Sequence, residues 1–287
     1  MSPITHRSPT ALIFCANLVV LLTVSRPSLA ADASPWDGTE RAAVRLIAGS
    51  QRGAADATVH RAGVEIRLAP GWKTYWRYPG DSGVPPRFDF ARSRNVKSVT
   101  VRWPAPQRLT DDSGTSIGYK HDIVFPLEVV PQDATKPVEL VLGIDYAICE
   151  KLCVPADGKA ELTIGGKGGA QDGKITQSEA LVPRPAALGA DGALAIRSAK
   201  QEAGGAKPRI VVDVAAPAGA TVALFAEGPA PDWALPVPEA IAGAPAGQQR
   251  FAFELDGLPP NTKADGATLT LTAVAGDQAI EVPFRLD

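Results

Sequence analysis

Two cysteines stand four positions apart in Cys149-Glu150-Lys151-Leu152-Cys153, and their thiols are the groups in this sequence best suited to chemistry. They follow an apolar stretch, Val138–Ile148, and precede Val154-Pro155-Ala156-Asp157-Gly158 and a further strand-like stretch, so the pair flanks a turn. Cysteines at i and i+4 around a three-residue loop can face each other across a hairpin, where paired Cα atoms lie about 4.5–5.5 Å apart, within disulfide range. Such a bridge closes so short a loop that the chain-entropy model assigns it roughly 2 kcal/mol, less than one joining distant strands. Three chemistries fit this spacing. The pair can be a structural bridge that tidies one hairpin, a thiol–disulfide exchange centre, or a soft-metal site for Cu(I) or, with two more ligands, Zn(II). Lys151 and the neighbouring amides favour a thiolate, whereas burial beside Ile148 and Leu152 opposes it.

The rest of the chain narrows the setting. His6 and Arg7 precede an apolar stretch from Ala11 to Val24, and Ser28-Leu29-Ala30 places small residues where signal peptidase cuts, so residues 1–30 read as a secretory signal cleaved near Ala30. Cys15 falls inside that segment, behind the bulky Phe14, and is not a lipobox cysteine. Removal of the signal leaves Cys149 and Cys153 alone in an exported chain, in a compartment where thiols can be oxidised. It also leaves no methionine, and only His60 and His121 as further soft ligands, so the sequence assigns no metal. The full chain has 287 residues, 45% hydrophobic and 21% charged, and a net charge of −2 that falls to about −4 when Arg7 and Arg26 are lost. That composition is globular and has no basic run, which argues against nucleic acid as a partner. No segment after the signal is apolar for long enough to insert in a membrane.

With 27 glycines and 26 prolines, the chain reads as short strands joined by turns, an all-β protein. Strands are expected at Ala43–Ala48, Val64–Leu68, Val99–Trp103, Ile123–Val130, Val138–Ile148 and Ala160–Ile164, forming a β-sandwich domain over residues 31–164. Residues 165–190 read as a linker. Gly165-Gly166-Lys167-Gly168-Gly169 opens it, and Thr176-Gln177-Ser178-Glu179 has capping-box spacing ahead of a short helix halted by Pro183. A second sandwich is expected over 191–287, with strands at Ala193–Ser198, Arg209–Val214, Thr221–Ala226, Arg250–Leu255, Thr268–Val274 and Ala279–Leu286.

Other signals are weaker. Gly114-Thr115-Ser116-Ile117-Gly118 matches a nucleophile elbow in letters, but no helix follows it, and the only later histidine, His121, lies five residues on with no acid between. Trp72, Tyr75, Trp76 and Tyr78 could stack on a sugar, yet aromatics in sandwich strands usually pack in cores. Asp111-Asp112 reads as a solvated turn.

Several segments resemble the N-terminal periplasmic domain of the DsbD family of thiol:disulfide interchange proteins, in its ScsB-like branch. They are Gly71-Trp72-Lys73-Thr74-Tyr75-Trp76-Arg77-Tyr78-Pro79-Gly80-Asp81-Ser82-Gly83, Gly118-Tyr119, Phe125-Pro126, and Asp145-Tyr146-Ala147-Ile148-Cys149-Glu150-Lys151-Leu152-Cys153-Val154-Pro155. The resemblance implies two immunoglobulin-like sandwiches, the first redox-active. It implies that Cys149 and Cys153 cycle between dithiol and disulfide without a cofactor, Cys153 forming the mixed disulfide. It further implies a cap loop, for which Gly114–Tyr119 with Ile117 is the corresponding segment, and site-lining residues at Tyr75, Tyr119 and Tyr146. The implied partners are thioredoxin-like periplasmic proteins. Because the membrane and thioredoxin-like domains of the full-length family do not follow Asp287, a separate membrane electron donor is also expected. A copper-tolerance module holding Cu(I) on the same thiols, or an inert interaction domain with a structural disulfide, remains the alternative.

Overall fold

The computed structural model describes residues 31–53, 58–80, 83–111, 114–165, 169–202 and 207–287. The signal segment, Cys15, Asp112 and the middle of the glycine run lie outside these residues.

Among the described residues, eleven strands precede a single helix: β1 (Asp37–Gly38), β2 (Ala42–Arg52), β3 (Val59–Leu68), β4 (Lys73–Gly80), β5 (Arg87–Asp89), β6 (Val96–Val101), β7 (Gln107–Asp111), β8 (Gly114–Tyr119), β9 (Ile123–Pro131), β10 (Val138–Cys149) and β11 (Cys153–Ile164). Helix α1 (Asp172–Ala180) follows, and then β12 (Arg184–Pro185), β13 (Ala195–Glu202), β14 (Arg209–Ala215), β15 (Val222–Glu227), β16 (Glu239–Ile241), β17 (Gln248–Glu254), β18 (Thr268–Ala275) and β19 (Gln278–Arg285). The first sandwich pairs a sheet ordered β1-β2-β3-β9-β6 with one ordered β11-β10-β4-β8-β7, to which β5 adds through β10. The second sandwich pairs β12-β19-β18-β15 with β13-β14-β17-β16. The all-β, two-sandwich architecture expected from the sequence is the one observed.

Strand β10 shows how the sequence builds this. Val138, Leu140, Leu142, Ile144, Tyr146 and Ile148 are buried in the first core, while Glu139 and Asp145 point to solvent, the two-residue period of a strand that covers one side of a sandwich. In the same core the Phe125 ring meets Trp103, Phe88 and Tyr119 at centroid distances of 5.0, 5.3 and 5.5 Å, all edge-on, the geometry that ring quadrupoles favour. The second core gathers Ile196, Val212, Val214, Leu224, Leu269, Leu271 and Val282.

Two departures from the sequence reading matter. The helix begins at Asp172, ahead of the expected capping box, and Gln171 at its N-cap makes no side-chain capping bond. Thr176 and Glu179 are instead used by Arg61 of β3, whose guanidinium donates to Thr176 Oγ1 at 2.8 Å and to Glu179 at 2.7 and 2.9 Å, and pairs with Asp172 at 3.0 Å. The hydrogen bond to Glu179 first, with the charges of Glu179 and Asp172, outweighs the burial of Arg61 and holds its pKa above the ordinary arginine value. With Ile175 fully buried and Ser178 Oγ donating to the Val124 carbonyl, α1 is docked on the first sandwich rather than hanging between the two.

The second departure is the contact between sandwiches. Arg77 of β4 donates to both carboxylate oxygens of Glu227 (2.7 and 2.8 Å) and also pairs with Glu281. Burial alone would depress its pKa, but the two glutamates outweigh burial and hold it above the usual value. Beside it, the Trp76 ring lies 5.8 Å from Phe225, and Tyr78 Oη donates to the Leu235 carbonyl. Phe225 and Val237 thereby join the first core.

Candidate functional site

Strands β10 and β11 form a hairpin in register from Val138↔Ile164 to Cys149↔Cys153, so the two cysteines face each other at its tip, flanking the turn Glu150-Lys151-Leu152. Their Cα atoms are 4.1 Å apart and their sulfurs are joined in a disulfide. The two sulfurs sit in different surroundings. Cys149 is 4% exposed, whereas Cys153 is an exposed residue on the outer strand of the sheet.

Alternation places the neighbours. Cys149 and Ala147 project from β10 on the face opposite the core residues Tyr146 and Ile148. Strand β4 runs alongside, with Lys73 opposite Cys149 and Thr74 opposite Ile148. Lys73 and Tyr75 therefore share the cysteines' face, while Thr74 and Trp76 point the other way. Tyr75 is 1% exposed and packs with Ala147 and Cys149 in a small cluster of their own. Its hydroxyl reaches Cys153 Sγ at 3.0 Å. Lys73 is buried at 6% exposure and donates from Nζ to Ser116 Oγ at 3.1 Å, and Ser116 Oγ lies 3.3 Å from the Leu109 carbonyl, to which it donates.

Glycines let other segments close in. A Cβ on Gly83 (φ +135°) would fall 2.4 Å from the Tyr75 ring, so the chain there lies directly on the tyrosine. Gly71 (φ +86°) turns the chain into β4 beneath Glu150, whose carboxylate would be 3.2 Å from a Cβ at that position.

Of the four residues expected to line the sulfurs, the strands bring Tyr75 to them and carry the other three to the opposite face. Tyr146 projects into the core, where burial first, and then the charges of Asp157 and Asp37, push its pKa up to about 12. Tyr119 also lies in the core, its hydroxyl donating to the Pro104 carbonyl at 2.8 Å, and burial raises its pKa well above the ordinary value. Ile117 is fully buried in the same core. The expected cap segment Gly114–Tyr119 is strand β8, held between β4 and β7. Among the described residues, the chain that lies on Tyr75 is the one containing Gly83. The same strand geometry dissolves the nucleophile-elbow reading, since Ser116 is a buried strand residue. Tyr75, Trp76 and Tyr78 are likewise buried and offer no open stacking platform.

The sequence reading missed Lys73, Ser116, Ala147 and Gly83. The two-residue spacing between Lys73 and Tyr75, and between Ala147 and Cys149, was the signal available for two of them.

This arrangement can perform sulfur exchange. One cysteine is an exposed residue within reach of an incoming thiolate, the other is buried in a cluster with Tyr75 and Ala147, and the Tyr75 hydroxyl touches the sulfur of the exposed one. Residues 43–164 match the family model described as thiol:disulfide interchange protein DsbD, N-terminal. Among solved structures, the fold is similar to the N-terminal periplasmic domain of ScsB from Proteus mirabilis, with a TM-score of 0.68, 18% identity, and coverage of 89% of this chain and 98% of that one. No curated protein matches the chain.

Proposed function

Given that residues 43–164 form a domain of the DsbD N-terminal family, we propose that this chain exchanges disulfides with partner proteins through Cys149 and Cys153. The observation that carries the reading is the asymmetry of the pair: an exposed Cys153 whose sulfur touches the Tyr75 hydroxyl, backed by a buried Cys149. In the reduced protein, the Cys153 thiolate attacks one sulfur of a partner disulfide and releases the other partner sulfur as a thiolate. The Cys149 thiolate then attacks Cys153 Sγ, which expels the second partner thiolate and closes the bridge present in this structure. Two electrons pass to the partner. A dithiol donor restores the pair by the reverse steps, and the periplasm, where the similar ScsB domain resides, is the compartment that suits such a circuit.

Tyr75 acts on the sulfur that changes bonding. A phenol O–H donating to a thiolate stabilises it, by roughly 1.5–3 kcal/mol for a charged acceptor, which raises the thiolate fraction of Cys153 and, in the reverse direction, makes it the better leaving group when a dithiol donor's second thiol attacks the donor sulfur bonded to Cys153.

Acid-quenched trapping tests the proposal. Cys149→Ser is expected to accumulate a reductant-sensitive adduct with a partner, and the double serine variant none. Absence of adducts from both single variants, together with a wild-type bridge that a thioredoxin-like donor cannot open, overturns it. The copper reading on the same thiols would then require a stoichiometric, cysteine-dependent Cu(I) complex.

A further inference from the structure

The turn that joins the cysteines carries a large apolar residue that faces solvent. Leu152 is 78% exposed, directly before the exposed Cys153, at a position where turns ordinarily place small or polar residues. A second large apolar side chain, Val84, is 50% exposed and follows Gly83, the residue lying on the Tyr75 ring whose hydroxyl touches Cys153. The other large exposed apolar residues, Leu181, Leu188 and Ile241, belong to the connector and to the second sandwich.

Resting on the exchange reading above, we propose that Leu152, together with Val84 next to the Gly83 that covers Tyr75, forms the apolar rim on which a protein dithiol docks as its sulfur reaches Cys153. The covalent geometry requires contact there. A partner cysteine bonded to Cys153 must bring its own Cα to within about 4.4–6.8 Å of the Cys153 Cα, so the partner's surface is pressed against the residue adjoining Cys153. The turn supplies one acid and one base, Glu150 and Lys151, which cancel in sign. The contact is therefore driven by apolar burial, and the partner is a dithiol protein whose reactive cysteine emerges from an apolar surface.

The test compares a protein reductant with a small one. Reduced thioredoxin and dithiothreitol serve as the two probes, and the second-order rate of opening of the Cys149–Cys153 bridge is followed by alkylation of quenched samples. Leu152→Asp is expected to slow the thioredoxin reaction at least tenfold while changing the dithiothreitol reaction less than twofold. Leu152→Ala and Val84→Asp should each slow thioredoxin by a smaller factor, about threefold, and the wild-type thioredoxin rate should change little between low and physiological salt. Equal slowing of both reductants, or none in either, overturns the docking rim while leaving exchange intact. A wild-type bridge that dithiothreitol opens and thioredoxin does not would overturn the exchange reading itself, and the rim with it.

Discussion

The two ends of β4 keep different company. At one end Arg77 has two carboxylates, Glu227 and Glu281, and its neighbours Trp76 and Tyr78 are matched by Phe225 and the Leu235 carbonyl. At the other end Tyr75 and Lys73 face a cysteine pair, one member of which, Cys153, is an exposed residue. Both ends are buried and polar, yet only one is closed. Where each group is answered from across the contact, the strand is fixed; where one atom is left accessible, it can react. The same strand thus ties the second sandwich to the sheet that carries the chemistry.

This contrast can be broken at the Arg77 end first. Arg77→Met leaves two half-buried glutamates facing each other without a cation, and removing one partner of a buried ion pair costs about 2–4 kcal/mol at this degree of shelter. Urea denaturation should show that loss. If the ends of β4 are independent, the rate at which dithiothreitol opens the bridge stays within twofold of wild type; a tenfold change would show that the second sandwich sets the cysteines' reactivity.

Tyr75→Phe sharpens the other side. It removes one hydroxyl from a packed ring, so stability should change by no more than about 1 kcal/mol. The Cys153 thiolate loses its donor, and exchange near neutral pH should slow about tenfold, with the thiolate absorbance rising at higher pH than in wild type. An unchanged titration would dismiss the phenol as a mere packing group.

The smallest expected effect concerns a group that belongs to neither end. His60 is 2% exposed, its Nε2 has no hydrogen-bond partner among the described residues, and burial lowers its pKa from the ordinary 6.5. The unfolded chain takes up a proton near pH 6.5 and the folded chain only below that. Stability is therefore complete above pH 6.5 and declines as pH falls from there through the lower folded value. Thermal melts at pH 7.5 and 5.5 should diverge less for His60→Phe than for wild type; equal divergence would assign the acid sensitivity to other groups.

Much of the frame was legible in the sequence because strands buried on one side alternate. Val138–Ile148 emerged as β10 with one residue added, and Thr268–Val274 as β18. Strand β4 was not legible as a strand, since Lys73, Thr74, Tyr75 and Trp76 are all buried and no alternation survives when both faces are covered. The capping-box signal misled because Arg61, distant in sequence, recruits Thr176 and Glu179. At the site, the cysteine pairing followed from spacing, but the lining did not: Tyr146 is one residue from Ala147, and one residue in a strand is the difference between the core and the sulfurs.

The position of the bridge also bears on how long such a molecule can work. The disulfide closes the last of the twelve paired positions of the β10–β11 hairpin, beyond eleven that are held by the sheet. The bridge constrains only the turn at the tip, while the paired strands and the Tyr75 ring packed under Gly83 are held by contacts that do not depend on it. In the exchange proposed above, each round of oxidation and reduction starts and ends on a hairpin still held by its eleven other paired positions, so the cycle calls for no refolding step.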